Sequence, residues 1–153
     1  MDVISLVSLI QSKKSGGGGS DFPVNDFFAK TVTELDLKGV TVLGQYSVNN
    51  QAMLTKLLIP DVVSIASQGI SSCSILESVT LPKSLKTLSG LAFMSNAGLK
   101  TITFEGVPES ISTSAFYASG TIKTINVPWS EGEVAGAPWG ATSAQINYNY
   151  TGG

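Results

Sequence analysis

Residues Leu76 to Glu105 read LESVTLPKSLKTLSGLAFMSNAGLKTITFE, and the opening L-x-x-V-x-L of Leu76, Val79 and Leu81 returns as L-x-x-I-x-F at Leu99, Ile102 and Phe104. An apolar pattern that restarts after 23 residues is too short to be a domain and is the mark of a stacked repeat. Working outward, the pattern also opens at Val32 (VTELDLK), Leu54 (LTKLLIP) and Ile122 (IKTINVP), and in degenerate form at Ser143 (SAQINY), giving spacings of 22, 22, 23, 23 and 21 residues. The last positions of each segment alternate apolar and polar, the period of a strand. Leu35, Leu57, Val79, Ile102, Ile125 and Ile146 form one inward column, and Leu37, Ile59, Leu81, Phe104, Val127 and Tyr148 form a second. Between them Asp36, Leu58, Thr80, Thr103, Asn126 and Asn147 fall on the opposite, solvent side.

A second landmark lies 16 or 17 residues into each repeat: Ser47-Val48, Gly69-Ile70, Ala92-Phe93, Ala115-Phe116 and Pro138-Trp139. It is expected to fill the rear of each coil. No single repeat can bury both faces alone, so the pattern implies successive coils sharing one core. The expected fold is mainly β with short helical or irregular coils, a solenoid of about six rungs with a parallel sheet spanning 32–153. Phe22, Phe27 and Phe28 make 22–31 the expected N-terminal cap, because the end of a parallel stack leaves backbone groups and apolar side chains bare. At the other end only Thr151, Gly152 and Gly153 follow QINYNY, and no comparable cap is expected.

Ahead of the cap, Val3, Leu6, Val7 and Ile10 follow i, i+3, i+4, i+7 spacing, with Asp2 before them and Lys13 and Lys14 after. That arrangement predicts a short helix whose ends complement its dipole. Asp2, the lysines and the lack of a small-residue cleavage site make a secretory signal a poor reading, so 1–15 is expected to stay in the mature chain. Residues 16–21 are then a flexible Gly/Ser linker, and GGGGS reads equally as a natural hinge or an inserted spacer.

Composition narrows the function. Of 153 residues, 42% are hydrophobic and only 13% charged, about half the usual charged share, so the surface is mostly neutral and polar. A net charge of -2 gives no basic footprint for nucleic acid, and no apolar run approaches the roughly 18 residues of a membrane span, so no membrane insertion is expected. Histidine is absent, which removes the commonest general base and the usual zinc ligand. The carboxylate pairs Glu34/Asp36, Glu105/Glu109 and Glu131/Glu133 read as solvated charge rather than a hydrolytic dyad. No phosphate-binding loop or nucleophile elbow occurs. The expectation is a non-enzyme with no cofactor and no metal. Trp139 takes the position of Phe93 and Phe116 and is expected in the core, whereas Trp129, just past Pro128, is the better candidate for an exposed recognition residue.

Ser78 to Phe104, with its strand, Leu81-Pro82 turn, Ala92-Phe93 step and Leu99 restart, resembles the BspA-like leucine-rich repeat. The resemblance extends over about Val32 to Tyr148. It implies an adhesive or surface-recognition protein, with no catalytic residues to transfer. It also explains Cys73, which shares its place with Gln51, Asn96 and Ser119 at the turn out of each coil, where such repeats put a residue that bonds the backbone. MDVISLVSLIQSKKSGGGG is similar to the opening of phage structural proteins, and VPWSEGEVAGAPWGATSAQINYNYTG resembles endings of prophage repeat proteins.

Together these resemblances imply a bacteriophage virion appendage, either a head fibre or capsid decoration protein or a tail or baseplate fibre. It would be made in the bacterial host cytoplasm and located in the virion. Its expected partners are other virion proteins (capsid, portal, tail or baseplate), docked through Val3, Leu6, Val7 and Ile10, and a host-surface protein or glycan met by Asp36, Leu58, Thr80, Thr103, Asn126, Asn147 and Trp129. A homo-oligomer is expected, with a trimer favoured by the likeness to phage fibres. The alternative is a bacterial surface adhesin carrying the same repeats.

Overall fold

The computed structural model describes residues 32–119 and 121–152, together with the backbone of β1 (Val3–Ser5). Each coil lays down one strand at the front: β2 (Glu34–Asp36), β5 (Lys56–Leu58), β8 (Ser78–Leu81), β10 (Thr101–Phe104), β12 (Thr124–Asn126) and β13 (Gln145–Asn147). A second side is formed by β3 (Val42–Leu43), β6 (Ser64–Ile65), β9 (Thr87–Leu88) and β11 (Ser110–Ile111), and a third by β4 (Val48–Asn49) and β7 (Ile70–Ser71). Every pairing is parallel. The chain is therefore a β-solenoid of about five turns.

Register follows the sequence columns. Leu35 pairs with Leu57, Val79 with Ile102, Ile102 with Ile125, and Ile125 with Ile146. The inward residues from Leu35 to Val127 are at most 5% exposed, whereas Ile146 and Tyr148, on the last rung, are half-buried against the same core.

The returns contain turns and two-residue strands, with no helix among the described residues. The reason lies in the corners, where Tyr46, Gln68 and Leu91 take φ of 61°, 58° and 60°. A left-handed residue costs about 1–2 kcal/mol without glycine and ends any α-helical run. It also turns the backbone so that each N–H points along the stack. Tyr46 donates to the Gln68 carbonyl, Gln68 to that of Leu91, and Leu91 to that of Ser114, each at 2.9 Å. Strain in one coil is thus offset by bonding to the next.

At the N-terminal side the expected helix is corrected for Val3–Ser5, which run as a strand parallel to β2, with Ile4 in register with Leu35. β-branched residues favour extended backbone, and the edge of β2 offers unpaired groups to complete. Leu6, Val7 and Ile10, the linker and the expected cap residues Phe22, Phe27 and Phe28 lie outside the described residues.

Candidate recognition surface

The outward side of the front sheet is built by alternation. In β8, β10, β12 and β13 the inward residues are Val79, Leu81, Ile102, Phe104, Ile125 and Ile146, which leaves two outward ranks. One aligns Thr80, Thr103, Asn126 and Asn147; the other aligns Ser78, Thr101, Thr124 and Gln145. Sequence reasoning named only the first rank. The second follows from the same period of two and could have been read with it.

The first rank is internally bonded. Asn147 Nδ2 donates to Asn126 Oδ1 at 2.8 Å, Asn126 Nδ2 donates to Thr103 Oγ1 at 3.0 Å, and Gln145 Nε2 donates to Asn147 Oδ1 at 3.3 Å. Asn126 is only 7% exposed and acts as the strut of this ladder. Ser78 and Thr80 are exposed, and Thr101, Thr103, Thr124 and Asn147 are half-buried. No ionisable group stands in either rank.

The first two rungs differ. Glu34 pairs with Lys56 at 2.9 Å, Asp36 Oδ1 accepts the N–H of Lys38 at 3.0 Å, and Leu58 is 38% exposed. Asp36 is therefore engaged with its own turn. Leu58 is the large apolar side chain of the front face that stands open to solvent.

Trp129 is a correction: at 3% exposed it is a core residue, not a surface one. After the Pro128 turn its ring packs edge-on against Phe104, centroids 5.1 Å apart, and against Trp139 at 6.0 Å. The chain beyond β13 closes over it, with Asn149 donating to the Trp129 carbonyl at 3.0 Å and Tyr150 to that of Val127 at 2.9 Å. Burying so large a ring is favoured over leaving it wet. Trp139, expected in the core, is fully buried.

A buried polar column marks the turn out of each coil: Gln51, Cys73, Asn96 and Ser119. Asn96 ties coils together, its Oδ1 accepting the Cys73 N–H while its Nδ2 donates to the carbonyls of Ile70 and Phe93, all at 2.8 Å. Burial pushes the Cys73 thiol up from 9.0 to about 11, against a smaller downward pull from the Gln51 backbone. That thiol is a neutral, enclosed group rather than a nucleophile.

Several carboxylates are engaged locally. Glu77 pairs with Lys100 at 2.7 Å, Glu109 with Lys86 at 2.9 Å, and Asp61 accepts the Gly39 N–H at 2.8 Å. Glu133 accepts the Ser130 N–H. Among the described residues no group of His, Cys, Asp or Glu is placed to hold a metal ion.

The family description of the BspA type leucine rich repeat region matches residues 21–135 in six copies. No curated protein and no solved structure matches the chain significantly. The match covers most of the sequence and ends ahead of β13, where the repeat also loses its leading leucine. With the parallel solenoid and its columns, this makes the chain a member of the BspA-type leucine-rich repeat family, whose repeat domain is an adhesion or interaction module.

Proposed function

We propose that the chain is a non-catalytic recognition module of a bacteriophage virion, with its N-terminal segment docked on the particle and its solenoid displayed for adhesion to a host surface. The observation that supports recognition is the outward face of β8, β10, β12 and β13, a neutral array in which the side chains of Asn147, Asn126 and Thr103 brace one another. Side chains already ordered by a ladder lose little further entropy on binding. Residues Asp36 and Leu58 border this face on the earlier rungs.

The virion assignment rests on the likeness of residues 1–19 to the opening of phage structural proteins. Docking falls to Val3, Leu6, Val7 and Ile10, on capsid, portal, tail or baseplate, and the assembled form is a homo-oligomer, a trimer by the same likeness. β1 adds a physical route, because a short strand that completes one sheet edge can complete another. Particles purified from cells encoding the full chain or a chain lacking residues 1–15 test this by mass spectrometry. The full chain is expected in the particle and the truncated one absent. Equal occupancy would overturn the docking role, and a full chain absent from particles but present on bacterial surfaces would replace the phage reading with an adhesin.

A further inference from the structure

We propose that the outward face of β8, β10, β12 and β13 binds an extended, uncharged polysaccharide lying along the solenoid axis, one sugar per rung. This deepens the recognition reading above and rests on it. The ranks Ser78, Thr101, Thr124, Gln145 and Thr80, Thr103, Asn126, Asn147 repeat by strict parallel register. Successive members stand about 4.8 Å apart across strands, and the two ranks about 6.6 Å apart along them. An extended β-1,4-linked pyranose chain advances by close to one such rung per sugar. Successive sugars are turned over by half a revolution, so like hydroxyls recur on alternate strands, while hydroxyl or amide groups stand on every strand to meet them.

The chemistry matches as well as the spacing. Hydroxyls and amides both donate and accept, as sugar hydroxyls do, so neither partner needs a formal charge. Charges flank the array rather than enter it: Glu77 and Lys100 pair with each other at 2.7 Å just ahead of β8 and β10, the exposed Glu105 directly follows β10, and Lys123 precedes β12. Thr103 Oγ1 accepts from Asn126, which leaves its own proton to donate outward. Threonine is stiff at χ1 and presents a methyl beside each hydroxyl, a surface that suits the alternating apolar and polar faces of a pyranose.

Other partners fit less well. Nucleic acid requires lysine or arginine against phosphate, and the ranks contain neither. A protein partner is normally gripped by aromatic or arginine anchors, and the array has none; the exposed Leu58 belongs to β5, outside it.

Titrating the full chain by calorimetry with cello- and chito-oligosaccharides of two to six sugars tests the proposal, with β-1,4-linked oligoglucuronate as the anionic control. Binding is expected for the neutral chains, tightening up to about four sugars and then levelling, since the sheet has four strands. The near-isosteric double variant Thr101→Val, Thr103→Val is expected to weaken it by about tenfold, roughly the worth of one or two hydrogen bonds, while Tyr117→Ala leaves it unchanged. Absence of binding to both neutral series, affinity independent of length, or equal affinity for the oligoglucuronate would overturn the glycan. If the double variant loses adhesion to bacterial envelopes although no neutral oligosaccharide binds, the face survives as the recognition surface and the glycan inference falls. If the variant adheres normally, both fall.

Discussion

In the first two coils the rear landmark is Ser47-Val48 and Gly69-Ile70, and the chain there runs as the paired strands β4 and β7; in the next two it is Ala92-Phe93 and Ala115-Phe116, and the chain passes through turns. Gly69 is closely packed. A Cβ on Gly69 would lie 2.7 Å from Ile65 Cγ2 and 3.0 Å from the Ala66 carbonyl, so alanine cannot stand there without displacing its neighbours. The later coils instead accommodate rings: Phe93 and Phe116 lie 5.7 Å apart, and Phe104 meets Phe116, Trp129 and Trp139 at 6.3, 5.1 and 6.1 Å. The larger landmark side chains thus coincide with returns that turn instead of running as paired strands. The front strands stay in register either way, which keeps the proposed recognition array regular above an uneven core.

Removing the central ring of the aromatic half is expected to have the largest effect. Phe104→Ala is expected to cost about 3–5 kcal/mol, as for other buried aromatics, and Ile70→Val in the aliphatic half only about 0.5–1.5. Denaturant unfolding of both variants checks this, and equal losses would mean that the aromatic cluster adds nothing to the stack. Next in size is the polar column. Asn96→Ala leaves the Cys73 N–H and the carbonyls of Ile70 and Phe93 without this partner, a loss of about 1–3 kcal/mol. Ser119→Asn should extend the ladder one coil further and gain about 0.5–1.5 kcal/mol; destabilisation by that change would show that the wider aromatic coil cannot accept the asparagine.

A smaller effect separates Cys73 from its neighbours in the same column. Its thiol ionises near 11 in the fold, above its usual 9.0, so the neutral form is favoured on folding. The resulting stability is fully present below pH 9 and is lost as pH rises from 9 to 11. Unfolding midpoints of the wild type and Cys73→Ala across that range should differ in slope, with the variant flatter. Parallel curves would place the thiol in contact with water. The smallest change is expected on the front of the first rungs, where Lys56→Ala should cost less than about 1 kcal/mol because the Lys56 side chain that pairs with Glu34 is itself more than half exposed.

The front columns were legible because period-two alternation and a 22–23-residue restart leave a parallel stack as the arrangement that buries both Leu35 and Leu37 and their successors. The core place of Trp139 was legible for the same reason: it occupies the slot of Phe93 and Phe116. Trp129 was misplaced because no repeat position fixes it; only the return of Asn149 and Tyr150 onto Trp129 and Val127 shows that it is enclosed. For Val3–Ser5 apolar spacing and the flanking charges point to a helix, and such local rules do not register the unpaired edge of β2 one coil away. The second outward rank was available in the sequence, but Ser78, Thr101, Thr124 and Gln145 stand before the central column of each strand and resemble ordinary loop polarity.

The recognition face is tested most directly by adhesion of the purified full chain to bacterial envelopes, measured for two single-charge variants. Thr103→Asp places a carboxylate without a counter-ion at the centre of the polar array, and Tyr46→Asp places one on the exposed rear corner, where an aspartate tolerates the left-handed backbone. The account predicts that Thr103→Asp abolishes adhesion while Tyr46→Asp adheres like the wild type, with both variants folded by circular dichroism. Adhesion retained by Thr103→Asp and lost by Tyr46→Asp would contradict it and move recognition to the rear of the solenoid.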